Sequence, residues 1–149
     1  MPIIKDKQIT ENSWSFIADG EPIEAGDITV SLSRWNDERQ TLQNHNGRIG
    51  IRLTPSDSLD QMTDFSAAEI IELEFPVFTD GRLFSVSRLL KDRYDYNGEV
   101  RAVGKFLADQ VFYLHRVGVN SFELNNPRDI EVALNAYNDF SVHYQSSNH

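Results

Sequence analysis

Asp80, Gly81 and Arg82 are the residues best suited to chemistry, because they follow an apolar segment and precede a helical pattern. The first N–H groups of a helix lack partners within the helix and attract anions. Gly81 lets a ligand approach the backbone, and Ser85 can cap the helix or donate a hydrogen bond to the same anion. The turn is therefore a candidate anion-binding site. A structural alternative stays open, with Asp80 capping the turn and Arg82 holding a neighbouring loop.

Positive charge is concentrated between residues 81 and 105. This segment contains three carboxylates and six cations, which are Arg82, Arg88, Lys91, Arg93, Arg101 and Lys105. Its net charge of +3 contrasts with −9 for the whole chain. Arginine side chains bind oxyanions with two parallel hydrogen bonds. We therefore expect a small anion or an acidic partner to bind through Arg82, Arg88, Arg101 and Lys105. The alternative is that these cations pair with nearby acids or lie on a solvated helix face.

Other polar residues suggest no further site. Asp109 and Gln110 lie within a helical pattern, and we interpret them as structural hydrogen-bonding residues. The four histidines lack the spacing of a metal site, and the chain has no cysteine, so no metal site is predicted. The segment 98–105 differs from a phosphate-binding loop, since Phe106 stands where a serine or threonine would bind magnesium. The cofactor is unknown, and whether the protein is an enzyme stays open.

Alternating apolar and polar residues predict the elements that must position these side chains. The predicted strands cover residues 47–53, 69–78, 99–103 and 122–124. The predicted helices cover 34–44, 85–94 and 105–117, and a last one begins at Asn126 and Pro127. Strands alternating with helices predict an α/β fold with a mainly parallel sheet and crossover helices, either an open sandwich or a partial barrel. Ligands of such sheets bind at the carboxyl ends of the strands, which here gather Asp80, Arg82, Lys105 and Asn125.

Length and composition indicate one ordinary domain. The 149 residues predict a single domain, with an N-terminal arm over 1–30 and an α/β core over 31–145. The arm is expected to be irregular, with a small strand pair as the alternative. The charge of −9 argues against a nucleic-acid partner. The first residues lack the apolar core of a signal peptide, and no run approaches the ~20 apolar residues that span a bilayer. We therefore predict a cytoplasmic protein without a membrane partner, of unknown oligomeric state.

The central segment resembles a bacterial family, domain-of-unknown-function family 934. The resemblance covers roughly residues 28–145 and is most specific from 75 to 124. It rests on Phe75–Arg82, on Ser85 with Arg88, Leu89 and Leu90, on Gly98–Gly104, on Asp109 and Gln110 with Leu114, and on Phe140 with Tyr144 and Gln145.

This resemblance implies a role in sulfur assimilation. Genes of the family typically lie beside the gene of the sulfite reductase haemoprotein, and the products are described as probable oxidoreductases or accessory proteins of sulfite reduction. We therefore expect an accessory protein that binds the reductase or a small oxyanion. Two alternatives stay open, an enzyme acting on a sulfur or phosphate oxyanion and a purely structural component of a complex. Family members often carry a cysteine where this chain has Arg116–Val119, which argues against a mechanism that needs a thiol there.

Overall fold

One curled sheet organises the protein. The computed structural model describes residues 2–76 and 82–147, with side chains described as far as residue 138. Within these described residues, eight strands form a half-barrel in the order β2-β1-β8-β7-β6-β5-β4-β3. They are β1 (Pro2–Lys5), β2 (Gln8–Glu11), β3 (Ser15–Phe16), β4 (Ile28–Ser31), β5 (Ile49–Leu53), β6 (Ile70–Phe75), β7 (Glu99–Gly104) and β8 (Ser121–Leu124). Strands β3 to β8 run parallel, whereas β1 is antiparallel to both of its neighbours. The predicted mainly parallel α/β fold is confirmed, in its partial-barrel form.

Helices cover the outer face of this sheet. They are α1 (Leu32–Asp37), α2 (Arg39–Gln43), α3 (Arg82–Asp92), α4 (Val111–Arg116) and α5 (Ile130–Ser147). Apolar residues at every second strand position, such as Ile71, Leu73 and Phe75, pack against helix residues such as Leu83 and Leu114 in one core. Alternation along a strand sends the intervening side chains to the other face. Among the described residues, no helix combines the length and apolar character that crossing a membrane requires.

The inner, concave face is buried although none of the helices described above covers it. Ile3, Ile70 and Val103 are almost fully buried there, outside the core that the helices form. Polar residues share this face, and Glu72 and Arg101 are each only 2% exposed. The curl of the sheet and the N-terminal segment enclose these side chains. The inner face is therefore a charged interior that the strands themselves build.

The first 31 residues differ from the predicted irregular arm, because they contribute four of the eight strands. These strands have two to four residues each, and every residue of β2 is exposed. Residues 13–17 alternate only briefly, and segments this short carry too few alternations to predict four paired strands. Asp6 and Lys7 form the turn between β1 and β2 with positive φ angles of 54° and 62°, although neither residue is a glycine.

The predicted helix over 105–117 is much shorter in the structure. Leu107 is extended and 44% exposed, and a short 3₁₀ turn (Ala108–Gln110) precedes α4. The reason is local, since Gln110 Oε1 accepts a 2.8 Å hydrogen bond from the backbone N–H of Leu107 and so starts the helical segment there. Ser85 is predicted to cap the N-terminus of a helix. In the structure α3 begins at Arg82, so Ser85 is a helical residue within it and not its N-cap.

Candidate functional site

The predicted anion site is only partly within the described structure. Asp80 and Gly81 lie outside the described residues. Arg82 is exposed at the start of α3, and Ser85 is exposed within the same helix. Arg82 and Ser85 thus share one end of α3.

The remaining predicted cations do not form one surface. Arg88 lies on α3, on the outer side of the sheet, whereas Arg101 points to the inner face and is 2% exposed. Lys105 is exposed just after β7, and its backbone N–H donates a 2.8 Å hydrogen bond to the carbonyl of Phe75. The alternation of β7 explains the separation, since Val100 and Ala102 occupy the outer face on either side of Arg101.

The two residues interpreted as structural lie before α4. Gln110 caps the 3₁₀ turn through its bond to Leu107. Asp109 is exposed in the same turn. Neither residue lines a described cavity that also holds one of the predicted cations.

A basic cleft lies where the ends of α3 and α4 meet. Its volume is about 160 Å³, and its walls are Arg88, Lys91, Asp92, Arg116, Val117 and Gly118. Ser87 Oγ donates a 2.8 Å hydrogen bond to the Val117 carbonyl and fixes one helix against the other. Burial lowers the pKa of the Lys91 ammonium. Three cations against one carboxylate make this cleft a surface for anionic groups.

Gly118 allows this cleft to form. Its φ angle is +110°, and a Cβ atom placed on it would lie 2.8 Å from Lys91 Cγ. Any other residue would therefore combine backbone strain with a clash against the lysine stem. Because Gly118 has no side chain, Lys91 can lie across the end of α4.

The inner face carries a hydrogen-bonded network centred on Arg101. Its Nε donates to Ser121 Oγ at 2.9 Å, its Nη2 to Glu99 Oε2 at 2.7 Å and its Nη1 to Asn12 Oδ1 at 2.7 Å. Ser121 Oγ in turn donates to Glu99 Oε2 at 2.6 Å, and Lys5 Nζ lies 3.0 Å from Glu99 Oε1. Burial opposes ionisation of Glu99, but the hydrogen bond from Ser121 and the Arg101 charge outweigh it, so the pKa of Glu99 is lowered.

A second network lies beside it, centred on Glu72. Glu72 Oε1 accepts hydrogen bonds from Thr29 Oγ1 at 2.7 Å and from Arg52 Nε at 2.9 Å. Arg52 Nη1 also donates to Glu74 Oε2 at 3.3 Å, and the guanidinium carbon lies 4.3 Å from the centre of the Phe16 ring. These contacts hold the Arg52 side chain in one place on the inner face.

The segment Asn12–Trp14, here called the strap, crosses the inner face between β2 and β3. Asn12 Nδ2 donates to Glu123 Oε1 at 3.0 Å, and its Oδ1 accepts hydrogen bonds from Arg101 and from the Trp14 N–H at 2.7 and 2.9 Å. At the far end, the Arg48 guanidinium carbon lies 4.7 Å from the Trp14 ring centre. The strap thus closes one side of the half-barrel.

A cavity opens at the carboxyl ends of the strands on this face. Its volume is about 240 Å³, and it is lined by Arg52, Glu74, Val103, Gly104, Glu123, Leu124 and Asn125. This is the edge at which parallel α/β sheets bind their ligands, and Gly104 and Asn125 lie at strand ends where a site is predicted. Arg52 and Glu123 are not among the predicted site residues, and neither are Glu72 and Glu74 of β6. A signal was present, since charged residues occupy the inner positions of four consecutive strands.

Within the part of the chain that the structure describes, no group of three or more histidine, aspartate or glutamate side chains is arranged to hold a metal ion.

No curated protein matches the chain. A family model described as "Bacterial protein of unknown function" matches residues 50–149, which include strands β6 to β8, all of β5 but its first residue, and every residue that lines the basic cleft and the cavity at the carboxyl ends of the strands. The chain therefore belongs to this bacterial family, DUF934.

Proposed function

We propose that this protein is a cytoplasmic accessory protein of assimilatory sulfite reduction that docks onto the reductase. The pathway is the one implied by the resemblance of residues 75–124. One structural observation supports docking, which is the basic cleft between α3 and α4 on a chain of charge −9. A localised cationic surface on an acidic protein selects an acidic patch on its partner, because the rest of the surface repels that patch.

The chemistry of the cleft fits carboxylate side chains of a partner. Guanidinium groups bind carboxylates with paired hydrogen bonds, and Arg88 and Arg116 stand on the two helices that form the walls. A volume of about 160 Å³ accommodates one such group. A sulfur oxyanion offers the same acceptor oxygens, so sulfite and sulfate are the small-molecule competitors to compare with the protein partner.

Co-purification with sulfite reductase tests this proposal. The tagged wild type should retain the reductase at low salt and release it as salt is raised, since screening weakens a charged contact. The double variant Arg88→Ala/Arg116→Ala should not retain it, whereas Arg128→Ala, which removes an exposed arginine outside the cleft, should. Failure of the wild type to retain the reductase, together with unchanged reductase activity in a deletion strain, would exclude the proposal. Retention with unchanged activity would instead favour a purely structural component.

A second candidate function is an enzyme that acts on a sulfur or phosphate oxyanion. The observation in its favour is the exposed Arg82 at the start of α3, an 11-residue helix whose first N–H groups attract anions. Thermal unfolding of the wild type with sulfite, sulfate, phosphate and nucleotides tests it. Saturable stabilisation that Arg82→Ala abolishes would support an anion site at this turn. Absence of such stabilisation would mean that Arg82 at the start of α3 does not support the enzyme hypothesis.

A further inference from the structure

Helices α3 and α4 lie side by side and run in the same direction. The ring centre of Phe84 lies 5.3 Å from that of Tyr113, and Ser87 Oγ donates a 2.8 Å hydrogen bond to the Val117 carbonyl. From the first contact to the second, the chain advances by three residues on α3 and by four on α4, about one turn on each helix. The two helices therefore form the walls of one groove, and the basic cleft is the end of it that Val117 lines.

An exposed aromatic pair forms the other end of this groove. Tyr113 is 54% exposed, and its ring packs edge-on against that of Phe84 at an interplanar angle of 60°. Phe84 is partly buried and packs in turn on Phe75, with 5.7 Å between the ring centres. Because Phe75 is 1% exposed, the pair is anchored in the core. A fixed, solvent-exposed aromatic ring is a side chain that protein interfaces use as an anchor.

Each aromatic residue is followed by an arginine on the same side of its helix. Arg88 follows Phe84 by four residues and Arg116 follows Tyr113 by three, the spacings at which helical side chains are neighbours. Arg88 is exposed, and it forms no hydrogen bond or ion pair with the residues that the structure describes. One helical turn rises about 5.4 Å. The groove thus presents an apolar surface and, about one turn further along, a cationic one.

This combination of charge and apolar surface selects an acidic protein segment. The cleft has three cations against the carboxylate of Asp92, on a chain of charge −9. A free oxyanion would contact the arginines but leave the aromatic pair uncovered. A nucleic acid would stack a base on the Tyr113 ring, but its continuing row of phosphates would be repelled by the acidic remainder of the surface. A protein segment with an apolar and an acidic side chain matches both ends of the groove.

We propose that this groove binds a short segment of the docking partner in which an apolar side chain and a carboxylate lie about one helical turn apart. The apolar side chain packs on Tyr113 and Phe84, and the carboxylate pairs with Arg88 and Arg116. This contact rests on the proposed docking function and supplies what the basic cleft alone lacks, an apolar anchor. Burial of an aromatic ring contributes affinity, whereas exposed charges contribute mainly to orientation and to the rate of association.

Binding of purified sulfite reductase to the full chain, measured at several salt concentrations, tests the apolar anchor. Tyr113→Ala should weaken binding at least about tenfold, as removal of an interface anchor does. Tyr113→Phe keeps the ring and should bind as tightly as the wild type. Val132→Ala is the matched control, because Val132 is a 59% exposed apolar residue on α5, and it should leave the affinity unchanged.

Salt distinguishes the apolar contact from the charged one. The loss of affinity in Tyr113→Ala should be the same at low and at raised salt, whereas the loss in Arg88→Ala should shrink as salt screens the arginine of the wild type. A second polar variant, Tyr113→Gln, should show the same loss as Tyr113→Ala. Since more than half of the Tyr113 side chain is exposed, both variants should fold, which far-UV circular dichroism and the unfolding midpoint check.

Three results would overturn this mode of docking. Equal binding by the wild type and Tyr113→Ala, with binding lost in Arg88→Ala/Arg116→Ala, would exclude the apolar anchor but leave the docking function intact. Failure of the wild type to bind the reductase would exclude the docking function, and the proposed segment with it. A wild-type dimer that Tyr113→Ala dissociates, measured by light scattering, would mean that a second copy of this chain occupies the groove.

Discussion

Arg52 Nε donates a 2.9 Å hydrogen bond to Glu72 Oε1, in an ion pair whose carboxylate is 2% exposed and whose guanidinium is 17% exposed. The pair lies on the inner face of the half-barrel, opposite the helix-covered core. A buried ion pair adds little net stability when both partners are present. Removing one partner is costly, because the other charge stays buried without compensation.

Replacing Arg52 with methionine should therefore destabilise the protein by about 3 kcal/mol, because Glu72 would keep only the hydroxyl of Thr29. Urea unfolding of the variant measures the loss. The double variant Arg52→Met/Glu72→Leu should recover most of it, since no buried charge is left. Arg128→Met, at an exposed arginine, serves as the control and should change stability by less than about 0.5 kcal/mol. No recovery in the double variant would contradict this account of the pair.

Asn12 should be the residue that holds the strap. Its amide joins Arg101 to Glu123, so Asn12→Ala should cost about 2 kcal/mol, the range for hydrogen bonds to charged groups. Amide hydrogen exchange of residues 12–17 should become faster, while exchange in β6 and β7 should change little. Thr10→Ala is the matched control, because the Thr10 hydroxyl only donates to the neighbouring Glu11 carbonyl at an exposed position. Unchanged exchange in the strap would mean that other contacts hold it.

Ionisation of Glu99 should make the free energy of unfolding depend on pH in the acidic range. Its pKa in the folded protein is lowered; burial opposes this, but the Ser121 hydrogen bond and the charge of Arg101 outweigh it. The unfolded chain therefore binds a proton more readily, and the contribution of Glu99 is fully present above the unfolded pKa of about 4.3. It is lost as pH falls through the folded-state pKa. The stability difference between wild type and Glu99→Gln, measured by urea unfolding, should shrink as pH is lowered through this window. A difference that stays constant would show that ionisation of Glu99 contributes nothing.

Gly118→Ala should destabilise the protein by about 2 kcal/mol, since alanine is strained at a φ angle of +110°. Its Cβ would also lie 2.8 Å from Lys91 Cγ. The Lys91→Ala change in the Gly118→Ala background removes the clash but not the strain, so it should restore only part of the loss. Gly20→Ala is the control for strain alone, because Gly20 has a φ angle of +83° and open space around it. Thermal unfolding of the four proteins separates the two contributions.

The parallel core could be predicted from sequence because its strands alternate cleanly. Ile49, Ile51 and Leu53 occupy one side of β5, and β6 repeats the pattern with Ile71, Leu73 and Phe75. The order of the strands in the sheet could not be predicted, because alternation does not say which strands are neighbours. The carboxyl edge of a parallel sheet is still the expected place for a site. A cavity does lie at that edge.

The inner charges could not be located in the same way. Alternation separates the two faces of a strand, but it does not say whether the polar face meets solvent or the interior of a curl. Glu72 therefore has the pattern of a solvent-facing residue although it is buried. The role of Asn12 could not be predicted either. Its partners Arg101 and Glu123 are about 90 and 110 positions away in the chain, and no local sequence pattern indicates contact at that separation.

The two edge strands of the sheet, β2 and β3, are consecutive in the chain. Between Glu11 and Ser15 the backbone makes four Cα-to-Cα steps, which span at most about 14 Å when fully extended. The backbone at these two points therefore cannot separate beyond that distance while both strands remain paired. Strands β2 and β3 are not hydrogen-bonded to each other, so the sheet does not close into a barrel. The covalent chain between them nevertheless holds its two edges together. Cutting the chain within Asn12–Trp14 would remove this limit without removing any of the eight strands.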